Sequence, residues 1–320
     1  MEAPVSVDFA GLAKELGFST SQVQSVTELL DEGNTVPFIT RYRKERTGNL
    51  DEEQIRAIQR RLHSQRQLGE RARTIVRLIE TQGKLTPELH AAILAADSLK
   101  RLDDLYLPFR PKRTSRASQA RERGLGPLAD AVWNQDASAT ALPNAAAELV
   151  DAAKELPNVD AVLQGVADIL AERISEDAAV RSRCRRIAGR TGQLDVTATK
   201  QGKESGSDYR DYFNYSEPTR RVPPHRVLAI NRGEKAGALK VKFTWDEPRA
   251  NTELIIYLRV NDHRHGEFLQ RCLSDAVSRL IGPSLEREFR REMLEKAESH
   301  AIGVFAENLR NLLLQPPVMG

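Results

Sequence analysis

Between Asp51 and Gly83 the apolar residues Ile55, Ile58, Leu62, Ala72, Val76 and Ile79 recur at three- and four-residue intervals, weakened only around Gln65 and Gly69. A stripe of that period shares one face only if the backbone is α-helical. Its ends are marked as well. Asp51 with Gln54 three residues on makes a capping box, Leu50 and Ile55 make a hydrophobic staple, and Gly83 supplies a C-cap. The spacing therefore predicts one helix of about 30 residues. A second stripe (Leu285, Phe289, Met293, Ala297, Ile302, Phe305, Leu309, Leu312) begins at Pro283-Ser284 and ends at Gln315-Pro316-Pro317. It predicts another helix of about 30 residues, about 45 Å long. Aromatic residues are only 5% of the chain, which argues against a sandwich or barrel.

Shorter elements fill the space between. Residues 9–16 read as a helix ended by Gly17, and Ser19 caps a second helix carrying Val23, Val26, Leu29 and Leu30 on one face. The spacing of Ala13, Gly17 and Val23 resembles the centre of a helix-turn-helix. Pro37 opens a short helix in which Phe38, Ile39 and Tyr42 are expected to face the core, while Arg41, Arg43, Lys44 and Arg46 radiate outward. Thr86-Pro87 starts a further helix with Leu89 and Ile93 inward, and Pro108 and Pro111 forbid a continuous one. A loop is expected at 137–144, a helix at 159–173, and then a helix bearing Arg181, Arg183, Arg185 and Arg186. Residues 201–207 (QGKESGS) read as a linker. After it come an aromatic group (Tyr209, Tyr212, Phe213, Tyr215) and a helix with a turn glycine in Arg232-Gly233-Glu234-Lys235. A strand alternating through Leu239, Val241 and Phe243 follows, and then a second strand-like run at 254–260. The two strands would pair. Residues 267–280 read as helix. The expected fold is mainly α: an elongated multi-helix N-terminal region with a helix-turn-helix-like unit near 9–48, a small two-stranded β element and a long C-terminal helix. The length of 320 residues suits about two domains, with borders expected at 1–200 and 208–320.

The net charge of +3 excludes a uniformly basic coat, so any polyanion-binding surface must be local. Arginine outnumbers lysine, 36 against 12, which suits bidentate phosphate contact and equally suits helix formation. Two clusters stand out. Arg41, Arg43, Lys44 and Arg46 either bind phosphate or pair internally with Glu45, Asp51 and Glu52. Residues 110–123 hold Arg110, Lys112, Arg113, Arg116, Arg121 and Arg123 against the single acid Glu122, a phosphate site or a solvated loop. Arg181, Arg183, Arg185 and Arg186 point around more than one helix face and cannot all meet one phosphate track. The aromatic group could stack bases, although such a group more commonly packs a linker onto a core. Asp262, His263, His265 and Glu267 offer metal-ligand atoms at a spacing that matches no metal motif, and a polar turn explains them. Cys184 and Cys272 are far apart, so neither a disulfide framework nor a zinc ribbon is expected, and a reducing compartment is. No secretory leader or membrane span is recognisable. Neither a Walker A sequence nor a Gly-x-Ser-x-Gly or His-Glu-x-x-His sequence occurs. The expectation is a non-enzymatic protein without cofactor, metal or small-molecule substrate.

Five segments, PFITRYRKERTGNLDEEQ, DDLYLPFRPKR, DYFNYSEP, HRVLAINRGEKAGALKV and NLRNLLLQPP, resemble in order the N-terminal half of the Tex family of bacterial transcription accessory proteins. The resemblance covers nearly the whole chain. It implies a mostly helical region with a helix-turn-helix-like part and a long central helix, in a cytoplasmic protein that binds nucleic acid (RNA or DNA) and acts with RNA polymerase or ribosome-associated factors. In the family a YqgF-type ribonuclease-H-like domain, helix-hairpin-helix modules and an oligonucleotide-binding barrel follow the Pro-Pro segment, so the chain is expected to be a fragment. Two functions are then open. One is a nucleic-acid-binding accessory module using Arg41, Arg43, Lys44, Arg46, Arg110, Lys112, Arg113 and Arg116. The other is a helical protein-interaction scaffold, with nucleic acid handled by the C-terminal domains.

Overall fold

A computed structural model describes residues 7–111, 114–204 and 208–315. The candidate residues Lys112 and Arg113, the end of the expected linker at 205–207 and the Pro316-Pro317 stop lie outside the described residues. The chain forms two compact units that divide between Arg110 and Pro111.

The first unit is helical. It contains α1 (Phe9–Leu16), α2 (Thr20–Asp31), α3 (Val36–Tyr42), α4 (Lys44–Thr47), α5 (Glu52–Glu80), α6 (Pro87–Leu94) and α7 (Leu99–Tyr106). The caps read from the sequence form. Ser19 and Asp51 each close a capping box, Thr86 caps α6, and Gly17 and Gly83 take left-handed backbone. The α5 stripe serves two apolar clusters. Ile55 and Ile58 join Leu12, Val23, Val26, Leu29, Val36 and Ile39, whereas Ala72, Ile75 and Ile79 join Ile93, Leu102 and Tyr106. The weakened stretch at Gln65 and Gly69 is the interval between the clusters. There Leu62 is buried, and the Gln65 Oε1 atom is buried without a hydrogen-bond partner among the described residues.

The second unit holds α8 (Arg116–Glu122), α9 (Gly126–Asn134), α10 (Leu142–Ala147), α11 (Val159–Glu176), α12 (Ala178–Thr191), α13 (Lys200–Glu204), α14 (Pro224–Lys235), α15 (Glu247–Tyr257), α16 (Gly266–Asp275) and α17 (Gly282–Leu313), with strands β1 (Gln193–Ala198), β2 (Asn214–Pro218) and β3 (Leu239–Thr244). The sheet is three-stranded and antiparallel in the order β2-β1-β3, with Val196 opposite both Tyr215 and Val241. Its inward residues Leu194, Val196, Leu239 and Val241 pack with Ile230 of α14, and Tyr209, Tyr212, Phe213 and Tyr215 lie partly buried against them. The aromatic group is thus packing material.

Several expectations are corrected. The run at 254–260 is not a strand. Its first residues complete α15, with Ala250 and Leu254 buried at a spacing of four, and β3 pairs with β1 instead. The expected border near 200–208 falls inside the second unit, because β1 before the linker pairs with β2 and β3 after it. The expected loop at 137–144 is a 3-10 turn (Ala137–Ala139) followed by α10, anchored by buried Ala139 and Leu142. Gly233 is not the turn glycine. It lies buried within α14, where a Cβ would come 2.6 Å from Leu239, and the turn is made by Gly237 at φ 72°. The expected break before Pro283 does not occur. A π-helical stretch, Ala276–Ile281, joins α16 to α17. A proline one turn on lacks the N–H that would close the α-helical ladder, and a widened turn accommodates this. The long C-terminal helix forms as expected, with its stripe buried at Leu285 and Ala297 and exposed at Ile302, Phe305, Leu309 and Leu312.

Candidate nucleic-acid interface

Residues 36–50 form a ledge on the first unit. Val36 and Ile39 anchor α3 in the core, and Thr47 and Leu50 bury the far end. At Arg43 the backbone leaves helical geometry (φ −132°, ψ 25°), so α3 and α4 meet at an angle, and Gly48 and Asn49 then take left-handed backbone to reach α5. Val36 and Ile39 take the core-facing side of α3, leaving Phe38 on its flank and Tyr42 at its C-terminal end. Phe38 is therefore 36% exposed and Tyr42 65% exposed, which corrects the expectation that both face the core. Their rings lie 5.2 Å apart, and the Arg43 guanidinium sits 5.1 Å from the Phe38 ring. Arg43 Nη1 also donates to the Tyr42 carbonyl at 3.0 Å.

The four candidate bases of this ledge separate. Arg46 is structural: its Nη2 donates to Glu28 of α2 at 3.3 Å, and Nη1 lies 3.6 Å from Glu32. The acids expected to pair here are engaged elsewhere. Asp51 caps α5 by accepting from the Gln54 N–H, and Glu52 accepts from Arg56. Arg41, Arg43 and Lys44 are exposed, and among the described residues none has a carboxylate within ion-pair distance. Glu45 is the one acid on the ledge. By contrast α2, the second helix of the helix-turn-helix-like unit, carries no lysine or arginine, and its acids Glu28 and Asp31 are paired. Arg66 donates to both Asp31 oxygens at 2.7 Å and holds that carboxyl below the usual carboxylate range.

The second basic segment also divides. Arg121 donates to Glu172 at 2.6 Å, and Arg123 donates to Glu155. Both partners lie far along the chain, so the apparent lack of acid around 110–123 is a property of local sequence only. Arg110 ends the first unit and Arg116 opens α8 in the second. Both are exposed, and neither has an ion-pair partner among the described residues. Four arginines of α12 are engaged within the second unit. Arg183 and Arg186 donate to Glu253, Arg185 to Glu288, and Arg181 to Ser284.

Around Asp262, the His263 ring lies 3.3 Å from the Trp133 carbonyl and accepts the His265 N–H at Nδ1. Among the described residues no group of three His, Cys, Asp or Glu side chains is placed to hold a metal. Also among them, no helix is long and apolar enough to cross a membrane. Cys184 and Cys272 are buried, and burial pushes each thiol up to about 12.

A helical first unit with a cationic aromatic ledge, followed by a helical unit built around a small sheet and a long final helix, is a mainly α architecture of two units. Residues 9–80 match the Tex-like protein N-terminal domain, and residues 138–305 match the Tex central region. The chain belongs to the Tex family. It is similar to "Uncharacterized protein YdcI" of Bacillus subtilis, 40% identical over 97% of this chain and 43% of that protein. It is also similar to "Transcriptional accessory protein Tex" of Neisseria gonorrhoeae, 39% identical over 96% of this chain and 41% of that protein. A human relative, "S1 RNA-binding domain-containing protein 1", is 29% identical over 92% of this chain and 31% of its own length. The chain thus spans about two-fifths of the bacterial relatives it matches.

Proposed function

We propose that this chain is a non-enzymatic transcription accessory module that binds nucleic acid through local basic surfaces, chiefly the ledge of Arg41, Arg43 and Lys44. The observation that carries the reading is that these three cations are exposed and without a carboxylate partner among the described residues, while Arg46, Arg121, Arg123, Arg181, Arg183, Arg185 and Arg186 are committed to internal partners. An arginine without a carboxylate partner keeps its full capacity to displace counterions from a phosphate backbone. Arg110 and Arg116 add smaller basic points. Kinship with proteins named for transcription accessory and RNA-binding roles supports the same reading. The test is binding of labelled RNA and DNA across a salt series. Wild-type affinity is expected to fall with salt, and Arg41→Gln with Lys44→Gln is expected to flatten the slope by about 0.7 per lost contact for single strands. Salt-independent binding, or none at low salt, would defeat it.

A second reading, a protein-docking scaffold for RNA polymerase or ribosome-associated factors, is favoured by one specific observation. Ile302, Phe305, Leu309, Leu312, Leu313 and Leu314 are exposed along the end of α17. Capture of a partner that survives nuclease treatment and is lost on Phe305→Ser would support that reading; loss of every partner on nuclease treatment would count against it.

A further inference from the structure

We infer that the groove between α14, α17 and the β-sheet of the second unit binds a straight-chain carboxylate, with the alkyl chain lying in the groove and the anionic head at Arg287 and Asn231. The inference concerns a small ligand and does not depend on the nucleic-acid reading above. Three observations carry it.

The first is the apolar slot itself. A cavity of about 360 Å³ is lined by Leu194 and Val241 of the sheet, Val227 and Ile230 of α14, and Met293 and Leu294 of α17. That volume lies at the small end of the range for ligand pockets. No lining residue is aromatic, and the polar ones are Asn231, Glu286 and three arginines. A nucleobase or a sugar would set ring nitrogens and hydroxyls against aliphatic walls without partners, which costs free energy. An alkyl chain carries no such groups, and the unbranched Met293 thioether adapts to its shape. The second is the charge at the edge. Arg290 is committed, since it donates to Glu234 of α14 and its Nη1 lies 4.0 Å from Glu286. Glu286, the one acid of the lining, also accepts the Phe243 N–H at 3.3 Å and is held within the wall. Arg291 lies 3.8 Å from Glu295 in a contact well exposed on both sides. Arg287 is exposed and has no ion-pair partner among the described residues, so it is the cation left to meet an anion. The third is Asn231. It lines the same cavity, and its side-chain amide makes no hydrogen bond among the described residues, so its N–H groups can donate to a carboxylate oxygen. An aliphatic slot edged by one open guanidinium and one open amide is complementary to a monoanion with an alkyl tail.

The experiment uses the full chain with isotope-labelled methionine methyl groups, and decanoate, octanoate and decyltrimethylammonium as probes below their micelle concentrations. Of the three methionines, Met1, Met293 and Met319, only Met293 lines the cavity, so the other two are internal controls. Decanoate is expected to shift the Met293 methyl signal saturably, at one ligand per chain by calorimetry, and to leave the other two in place. Octanoate is expected to bind about fifteenfold more weakly, at about fourfold per buried methylene. Decyltrimethylammonium has the same tail and the opposite charge, and is expected to bind about tenfold more weakly because an exposed guanidinium then repels it. Arg287→Glu, at an exposed position, is expected to weaken decanoate about tenfold and to keep the dependence on chain length. Met293→Trp fills the slot and is expected to abolish binding with the urea midpoint retained. If that variant fails to fold, Arg287→Glu and the charge-reversed probe still decide. A Met293 signal that decanoate leaves unmoved, or equal affinity for decanoate and decyltrimethylammonium with no effect of Arg287→Glu, would overturn the inference. A Met293 signal that moves with protein concentration and not with decanoate would give the groove to a second copy of the chain and also overturn it.

Discussion

Replacing Glu288 by Gln withdraws the counter-charge from a guanidinium held between α12 and α17. Arg185 Nε donates to Glu288 Oε1 at 2.6 Å and Nη2 donates to Oε2 at 3.2 Å, a two-point contact between residues 103 positions apart. The side chains are only 17% and 12% exposed, so both charges have given up most of their hydration. Removing one partner of a fully buried pair costs about 3–5 kcal/mol. Residual exposure and the carbonyl that Gln keeps as an acceptor bring the expectation to about 2–3 kcal/mol. Both tryptophans, Trp133 and Trp245, belong to the second unit, so tryptophan fluorescence during urea unfolding reports on that unit. With an m-value of about 2–3 kcal/mol per molar for a unit of this size, the midpoint should fall by about 1 M. Because the attraction largely offsets the desolvation of the two charges, Arg185→Met with Glu288→Met should recover most of the loss. A midpoint shift of Glu288→Gln below about 0.2 M would show that water still screens the pair. A double variant weaker than the single one would show that the cost is packing and not charge.

Three further outcomes are expected. Gly165→Ala should destabilise the second unit by about 1–3 kcal/mol despite alanine's better helix propensity, because the new Cβ would lie 2.3 Å from Leu125 Cδ1 in a closed core; a gain in urea midpoint would contradict the packing argument. Asp31→Asn should cost the first unit under about 1 kcal/mol at neutral pH, since the pair with Arg66 is half exposed. The carboxyl is held low by Arg66, so its contribution is complete above the unfolded value of about 3.9 and is lost as the pH falls through the lower folded value. Wild type and variant should therefore converge in acid, as amide exchange along α2 and α5 can report, and a gap that widens on acidification would reverse the sign. Cys184 and Cys272, with thiols pushed up to about 12 by burial, should react with a disulfide reagent at mildly alkaline pH only as urea unfolds the second unit. Prompt labelling in native buffer would refute their burial.

The basic ledge illustrates how far a sequence can be read for function. That Arg41, Arg43, Lys44 and Arg46 cluster on a short helical segment is visible in the chain, but which of them is available is not. Arg46 is claimed by Glu28, eighteen residues earlier, and Arg121 by Glu172, fifty-one residues later. Pairings of that range depend on which helices pack together. The exposure of Phe38 and Tyr42 had no local signal. At about 3.6 residues per turn, Ile39 and Tyr42 lie about 60° apart on one side of the helix, so the period put both in the core and only the packing of α3 decided otherwise. The strand expected at 254–260 failed for a related reason. A short apolar run has no period of its own, and it was the buried neighbours of Ala250 and Leu254 that decided for helix.

What the sequence determined by itself is what depends on residues a few positions apart. The capping boxes at Ser19 and Asp51, the left-handed glycines at Gly17 and Gly83, and the long α5 stripe are all set by interactions within one or two helical turns. The three-stranded sheet was decided only by tertiary structure, because β1 finds its partners across the segment expected to be a linker. So was the split of the arginines into those holding the fold and those left to meet a ligand. Ion pairs, strand partners and exposure are set by through-space distance, and chain order leaves that distance open until the cores close.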